Sequence, residues 1–257
     1  DLRIPQTLTG VIQARLDALP RPERDLLQKA AVVGRVFWES LLISMNAGQT
    51  TPDPATQHQL LQSLQARELV FQRKVSTFSH TSEYIFKNHI LQEVTYQQVL
   101  KRQRRIYHEQ IANWLIAQSG DRADEYAALI AEHFEQAENF AQAAEWYKRA
   151  GQRAAAQFAN QDALRLLQRA LELFPANDLQ PRVSCLLTRI NIYDLLGKRT
   201  EQAADLETLG QLAEALGQDE LRAEVCLLCA QYAQTVGNYT ESQQLALRTL
   251  DLIQSAS

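Results

Sequence analysis

Long apolar runs are missing from this 257-residue chain: none approaches the roughly 18 residues that suggest a membrane span, and its start has no basic segment followed by an apolar one. Cysteine is scarce as well. Cys185, Cys226 and Cys229 are an odd number at no disulfide-framework spacing, which fits a reducing compartment and argues against a stapled secreted scaffold. Cys226-Leu227-Leu228-Cys229 has the CxxC spacing of a redox or metal pair. It lies inside an apolar helical stretch with no histidine or second CxxC nearby, so it reads as core packing. Catalytic motifs are absent too: there is no GxxxxGK(S/T) phosphate loop, no GxGxxG, no HExxH and no GxSxG. His89 and Glu93 stand one helical turn apart, a spacing that reads as a hydrogen-bonded pair rather than a catalytic one, and the other histidines are scattered. The expectation is a chain with no catalytic, cofactor-binding or metal site. With no address in the sequence, the cytoplasm is the default compartment and no membrane partner is expected.

What is present is the make-up of an ordinary globular protein, 46% apolar with a formal net charge of -4. The charge is unevenly spread. Residues 1–120 hold 14 Lys and Arg against 10 Asp and Glu, whereas residues 121–257 hold 12 against 20. Such an asymmetry predicts two functional regions and makes the first the place for a polyanion to dock.

The second region is a pattern written twice. Leu195-Leu196-Gly197-Lys198-Arg199-Thr200-Glu201 returns forty residues on as Thr235-Val236-Gly237-Asn238-Tyr239-Thr240-Glu241, each behind one apolar helical stretch and ahead of another. Turn residues and three- and four-residue apolar steps predict helices near 123–137, 140–158, 160–173, 181–196, 200–216, 219–236 and 240–254. After the first, they pair into three hairpins starting near 140, 180 and 220. In one pair Gly151 takes the small position of the first helix, and Ala163, Leu167, Ala170 and Pro175 take the small, large, small and terminating positions of the second. That spacing resembles the tetratricopeptide consensus over about 34 residues. The later pairs keep the helices and glycine turns but lose the small residues, so they read as longer, looser repeats. Stacked helical hairpins bind other proteins more often than they perform chemistry. The last helix carries Leu245, Leu250, Leu252 and Ile253 with no polar capping helix after it, so the array is expected to be truncated and the chain to be a fragment.

The first region is built differently. Helices are expected at 5–19, from Pro22, and near 39–45, followed after a loop at 46–54 by a helix bearing Leu60, Leu61 and Leu64. Residues 71–75 then face 83–87 across a turn at 79–82. Helices followed by a two-stranded ribbon is the order of a winged helix. Two bridging helices at 89–100 and 102–118 lead to the repeats. The expected fold is therefore mostly α: a winged-helix-like domain with a small two-stranded β-ribbon over 1–86, bridging helices over 87–120, and an α-solenoid of tetratricopeptide-like hairpins over 121–257. Lys101, Arg102, Arg104 and Arg105, with Arg67, Arg73 and Lys74 elsewhere in the region, are the candidate contacts for a polyanion or a partner; the alternative is a solvated helix face. The helix that would enter a groove, 55–67, is rich in glutamine and nearly free of positive charge. Gln57, Gln59, Gln62 and Gln65 have side chains able to read bases, yet glutamine is equally ordinary on an exposed helix.

Residues 4–20 (Ile4-Pro5-Gln6-Thr7-Leu8, then Val11 through Pro20) and residues 26–37 resemble the segment just after the nucleotide-binding module in bacterial signal-transduction ATPases of the STAND class. That class includes regulators related to the maltose-regulon activator and ATPases fused to cyclase or kinase domains. Tyr84-Ile85-Phe86-Lys87, Gln92-Glu93-Val94-Thr95-Tyr96, Arg104-Arg105 and His108 extend the resemblance, which covers roughly residues 4–117. Family members often carry histidine directly after the Phe-Lys pair, where this chain has Asn88 and then His89. The nucleotide-binding module is absent, so ATP is expected only of a parent protein and of no residue here. The resemblance implies a non-catalytic regulatory and sensory fragment, in which repeats sense a protein partner or ligand and the winged helix packs against the ATPase module to hold it off. A DNA-binding regulator module and a passive repeat scaffold stay open as alternatives.

Overall fold

A computed structural model of the protein describes residues 6–46 and 54–255. The Ile4-Pro5 start of the resemblance, most of the expected 46–54 loop and the last two residues lie outside the described residues. The chain forms two compact units, residues 1–139 and 140–257.

The first unit begins with α1 (Gln6–Asp17) and α2 (Arg21–Val33). Pro22 sits in the first turn of α2, where its missing N–H costs nothing, and Leu26, Leu27, Ala30 and Ala31 form the buried stripe. A short strand, β1 (Val36–Trp38), precedes α3 (Glu39–Ser44) and α4 (Pro54–Ala66); β2 (Val70–Gln72) and β3 (Glu83–Phe86) follow. The ribbon expected between β2 and β3 is present, and β1 adds a third strand, giving the antiparallel order β1-β3-β2 with Phe37 opposite Tyr84. Aromatic packing explains the addition: the Phe37 ring stacks on Tyr84 at 5.7 Å and meets Phe86 edge-on at 5.5 Å, all three fully buried.

Glu83 fixes the connection between β2 and β3. Its carboxylate is 1% exposed and accepts from Trp38 Nε1 at 3.0 Å, from the Thr77 backbone N–H at 2.7 Å and from the Arg73 guanidinium. Phe78, in the same connection, is buried against Trp38, Trp114 and Tyr126 at ring distances of 5.1, 5.3 and 5.0 Å. Beyond β3 come α5 (His89–Gln97), α6 (Lys101–Ser119), a 3₁₀ turn (Gly120–Tyr126) and α7 (Ala127–Gln136). α7, expected near 123–137 as the opening of the repeat region, packs on α6 within the first unit.

Among the described residues the second unit forms six helices in three consecutive hairpins: α8 (Phe140–Ala156) with α9 (Asn160–Leu173), α10 (Leu179–Leu196) with α11 (Arg199–Leu216), and α12 (Asp219–Thr235) with α13 (Tyr239–Ser255). The glycines of the forty-residue echo explain its turns. Gly197 and Gly237 follow helices at φ +66° and +85°, a left-handed conformation that side chains resist, so each hairpin turns where its glycine stands. In the first hairpin Gly151 on α8 lets α9 approach so closely that an added Cβ would lie 2.6 Å from Leu167 Cγ. Ala163, Leu167 and Ala170 are fully buried, and Pro175 follows the Phe174 C-cap of α9. Between the later hairpins a Cβ added at Gly210 would lie 4.0 Å from Val225 Cγ1, an ordinary contact, and larger residues such as Leu186, Ile190, Leu206 and Leu209 fill the core. Arg189 crosses that core, pairing with Asp205 at 3.0 Å and donating to Gln168 at 2.6 Å, so one guanidinium links α9, α10 and α11. Leu247, Leu250 and Ile253 are exposed on α13.

Candidate functional site

The seven candidate cations do not form one patch of free charge. Arg67, just after α4, pairs with the buried Glu23 carboxylate at 3.0 Å, and Arg73 is held by Glu83. At the start of α6, Lys101 lies 3.8 Å from Glu138, which also receives Arg105, while the Arg104 guanidinium covers the Tyr96 ring at 4.7 Å. Lys74 and Arg102 are exposed. The same acids that order these side chains reduce the positive field a polyanion would meet.

On α4, which holds neither Lys nor Arg, Gln57 is fully buried. It accepts from Asn46 Nδ2 and donates to the Glu39 carbonyl, both at 3.1 Å, so it is committed inside the domain and is not placed to read a base. Gln59 and Gln62 remain exposed and Gln65 half-buried. Asn88, the departure from the family pattern, caps α5 by accepting from the Leu91 backbone N–H at 2.8 Å. His89 follows as the first residue of that helix and lies 3.4 Å from Glu93. The pairing expected from their spacing is therefore present, both side chains being solvent-exposed.

The cysteines are free thiols. Burial pushes Cys185 up to about 12, and burial followed by the neighbouring Cys226 raises Cys229, so neither thiol is poised to react at neutral pH. Among the described residues no group of three or more His, Cys, Asp or Glu is arranged to hold a metal ion, and no helix is long and apolar enough to cross a membrane.

No family model matches the sequence, and no curated protein matches it. Among solved structures the chain is similar to a signal transduction ATPase with numerous domains (STAND protein) with a tetratricopeptide repeat sensor from Pyrococcus horikoshii. The identity is 12% and the TM-score 0.41, and the likeness covers 98% of this chain and 47% of that one. This chain thus spans about half the length of that protein.

A hydrogen-bonded chain of three rings is the feature that sequence spacing did not bring together. The Tyr96 hydroxyl lies 3.2 Å from His108 Nε2, and His108 Nδ1 lies 2.8 Å from His133 Nδ1, linking α5, α6 and α7. Both histidines are buried. Burial holds His133 down at about 3, with His108 beside it adding to the effect, and burial followed by the Arg104 charge holds His108 at about 4. Both rings are neutral at pH 7, as a bond between two Nδ1 atoms requires: one must donate and the other accept. His133 reaches a cavity of about 490 Å³ that Val33, Glu93, Leu129 and Glu132 also line.

Proposed function

We propose that this chain is a non-catalytic regulatory and sensory portion of a multidomain signalling ATPase. Its winged-helix-like unit packs against the ATPase module, and its tetratricopeptide-like hairpins bind a protein partner or ligand. The observation that carries the reading is the state of the winged-helix-like unit. A DNA reader needs a cationic groove helix and a free wing, whereas here α4 holds no Lys or Arg, Phe78 ties the β2–β3 connection into the domain's own aromatic cluster, and Arg73 is neutralised by Glu83. A winged helix in that state is suited to packing against protein. The close-packed hairpin of Gly151 and Leu167, joined to it in one chain, supports the binding half of the proposal.

In this scheme partner binding shifts the protein between closed and open assemblies, and it does so only through a difference in affinity for the two. ATP belongs to the parent's nucleotide-binding module. Adding the purified chain to that module and measuring nucleotide turnover and assembly tests the scheme; the expected result is binding with lowered turnover. If the chain neither binds the module nor changes either quantity, the regulatory reading is wrong. Exposed Lys74 and Arg102 are what remains for the DNA reading, and titration with duplex DNA decides it, because phosphate-driven binding weakens steeply with salt. Passive scaffolding predicts instead full partner affinity and unchanged turnover at every partner concentration.

A further inference from the structure

We propose that the trough between α11 and α12 of the second unit is the docking surface for a cationic amphipathic segment of a partner protein. Such a segment would set an apolar side chain over Gly210, with a Lys or Arg on either side of it. The inference rests on the reading that the hairpins bind a protein partner, and it names the place and the chemistry of that contact.

Gly210 is the first observation. Glycine in a helix interior weakens the helix, so a close approach is needed to account for it. At Gly151 that approach is made by Leu167 of α9. At Gly210, inside α11, an added Cβ would meet nothing nearer than Val225 Cγ1 at 4.0 Å, so no neighbour among the described residues uses the space that the missing side chain leaves. That space opens into a trough of about 490 Å³. Its floor is the outer surface of the core, Leu206 and Val225 with Cys229 and Tyr232 partly buried against them. A second hollow of about 210 Å³ shares Gly210, Val225 and Cys229 with the first and continues it toward Leu245. Along α11 the lining runs from Ala203 to Glu214, a rise of about 16 Å, which is the span of a peptide segment of three helical turns.

Charge is the second observation. Residues 200–257 hold nine Asp and Glu against two Arg and no Lys. Both arginines are taken up by neighbouring acids: Arg222 pairs with Glu214 at 3.0 Å and with Asp219 at 2.9 Å, and Arg248 lies 3.9 Å from Glu214. Among the described residues no Lys or Arg lines the larger hollow, and two of its carboxylates keep their charge. Glu207, exposed on α11, has no hydrogen-bond or ion-pair partner among the described residues. Glu241, on α13, accepts from the Asn238 amide at 2.6 Å, a neutral donor that leaves the charge unpaired. Such a surface repels nucleic acid and anionic lipid and draws in a cationic partner. Burial of an apolar side chain on the floor then supplies affinity, while the carboxylates set orientation and rate of encounter.

Fluorescence-anisotropy titration of the full chain tests this with the labelled peptide acetyl-Ala-Ala-Lys-Ala-Ala-Leu-Leu-Ala-Gln-Lys-Ala-Ala-amide, whose helix carries its lysines and leucines on one face. Saturable 1:1 binding at low salt with a Kd of about 100 μM or tighter is expected, weakening as salt is raised. Replacing both lysines by glutamate, or both leucines by serine, should weaken it by about tenfold or more. Glu207→Gln and Glu241→Gln should each weaken it by up to about fivefold, the glutamine at 241 still able to serve the Asn238 cap. Gly210→Leu fills the trough at a position with room for a side chain, so it should keep the urea midpoint and lower affinity by about tenfold or more. Peptide binding by a chain that leaves the ATPase module's turnover unchanged supports this surface and removes the regulatory reading; lowered turnover without peptide binding removes this surface alone. The proposal is overturned if the peptide does not saturate below about 1 mM, if the glutamate peptide binds as tightly, or if the folded Gly210→Leu chain and both glutamine variants bind it unchanged.

Discussion

Gly151→Ala separates a close-packed repeat from a loose bundle of helices, because the two give opposite signs. On an exposed helix interior, alanine in place of glycine stabilises by up to about 1 kcal/mol through backbone entropy and propensity. At Gly151 the added methyl meets Leu167 Cγ at 2.6 Å, Cδ2 at 2.8 Å and the Leu167 backbone N at 3.2 Å. A rotamer change of Leu167 relieves the first two contacts, but the leucine is fully buried and the third contact belongs to the backbone of α9, so the helices must also move apart. Overpacking of this kind costs about 1–3 kcal/mol, which offsets the propensity gain and leaves a net loss of up to about 2 kcal/mol.

Urea unfolding followed by circular dichroism should therefore give a lower midpoint for the variant at an unchanged slope. The same substitution made on a Leu167→Ala background should be close to neutral or stabilising, with a coupling of about 1 kcal/mol or more between the sites. A Gly151→Ala chain as stable as the parent, or one with the same loss in both backgrounds, would show that α8 and α9 are not in the contact that defines the repeat.

Asp205→Ala leaves the Arg189 guanidinium in the core without its carboxylate and should cost about 3–5 kcal/mol, whereas Arg189→Met with Asp205→Leu should recover most of it; urea midpoints of the three chains check both. Glu83→Gln removes the charge that Arg73 faces and mismatches one of the donors around it, for a loss of about 1–3 kcal/mol visible as a changed near-ultraviolet signal of Trp38. Asn88→Ala deletes the cap of α5 and should cost about 1 kcal/mol, with aspartate at the same position restoring it. His108 and His133, held at about 4 and about 3, stay neutral in the folded chain where unfolded histidine is protonated, so their stability is whole above about pH 6.5 and falls as pH drops toward 4. The slope should reach about 1.4 kcal/mol per pH unit for each ring, and midpoints at pH 8, 6 and 5 should flatten in a His108→Phe, His133→Leu chain; an unchanged slope refutes the assignment.

The elements that were legible from sequence, and those that were not, divide along a physical line. Helices α8 to α13 could be placed within a few residues because each carries a long apolar period and ends at a turn signal that the backbone requires, as Gly197 and Gly237 do. β1 was invisible because three residues are too few to show a period, and because what makes Val36–Trp38 a strand is its partner nearly fifty positions later. The break at Gly120, at φ +51°, was legible as well, since the helices expected at 102–118 and 123–137 stop and start on either side of it; that α7 packs on α6 in the first unit was not.

The polar interior is the more instructive loss, since its pattern was present in the sequence. Gln57 stands four and seven residues before Leu61 and Leu64, in phase with their stripe, and all three are fully buried. His108 stands three, four and seven residues before Ile111, Ala112 and Leu115, the buried stripe of α6, and His133 lies among the buried Ala131 and Phe134 of α7. A polar residue in phase with an apolar stripe must either end the stripe or be buried with it, and burial requires a hydrogen-bond partner from another element. Phase therefore predicts that Gln57, His108 and His133 turn inward. It cannot name Asn46, Tyr96 or the facing histidine as partners, because those depend on how each helix is rotated against its neighbour. Sequence alone thus supplies a list of groups that need a partner, and in α6 and α7 two members of that list satisfy each other at 2.8 Å.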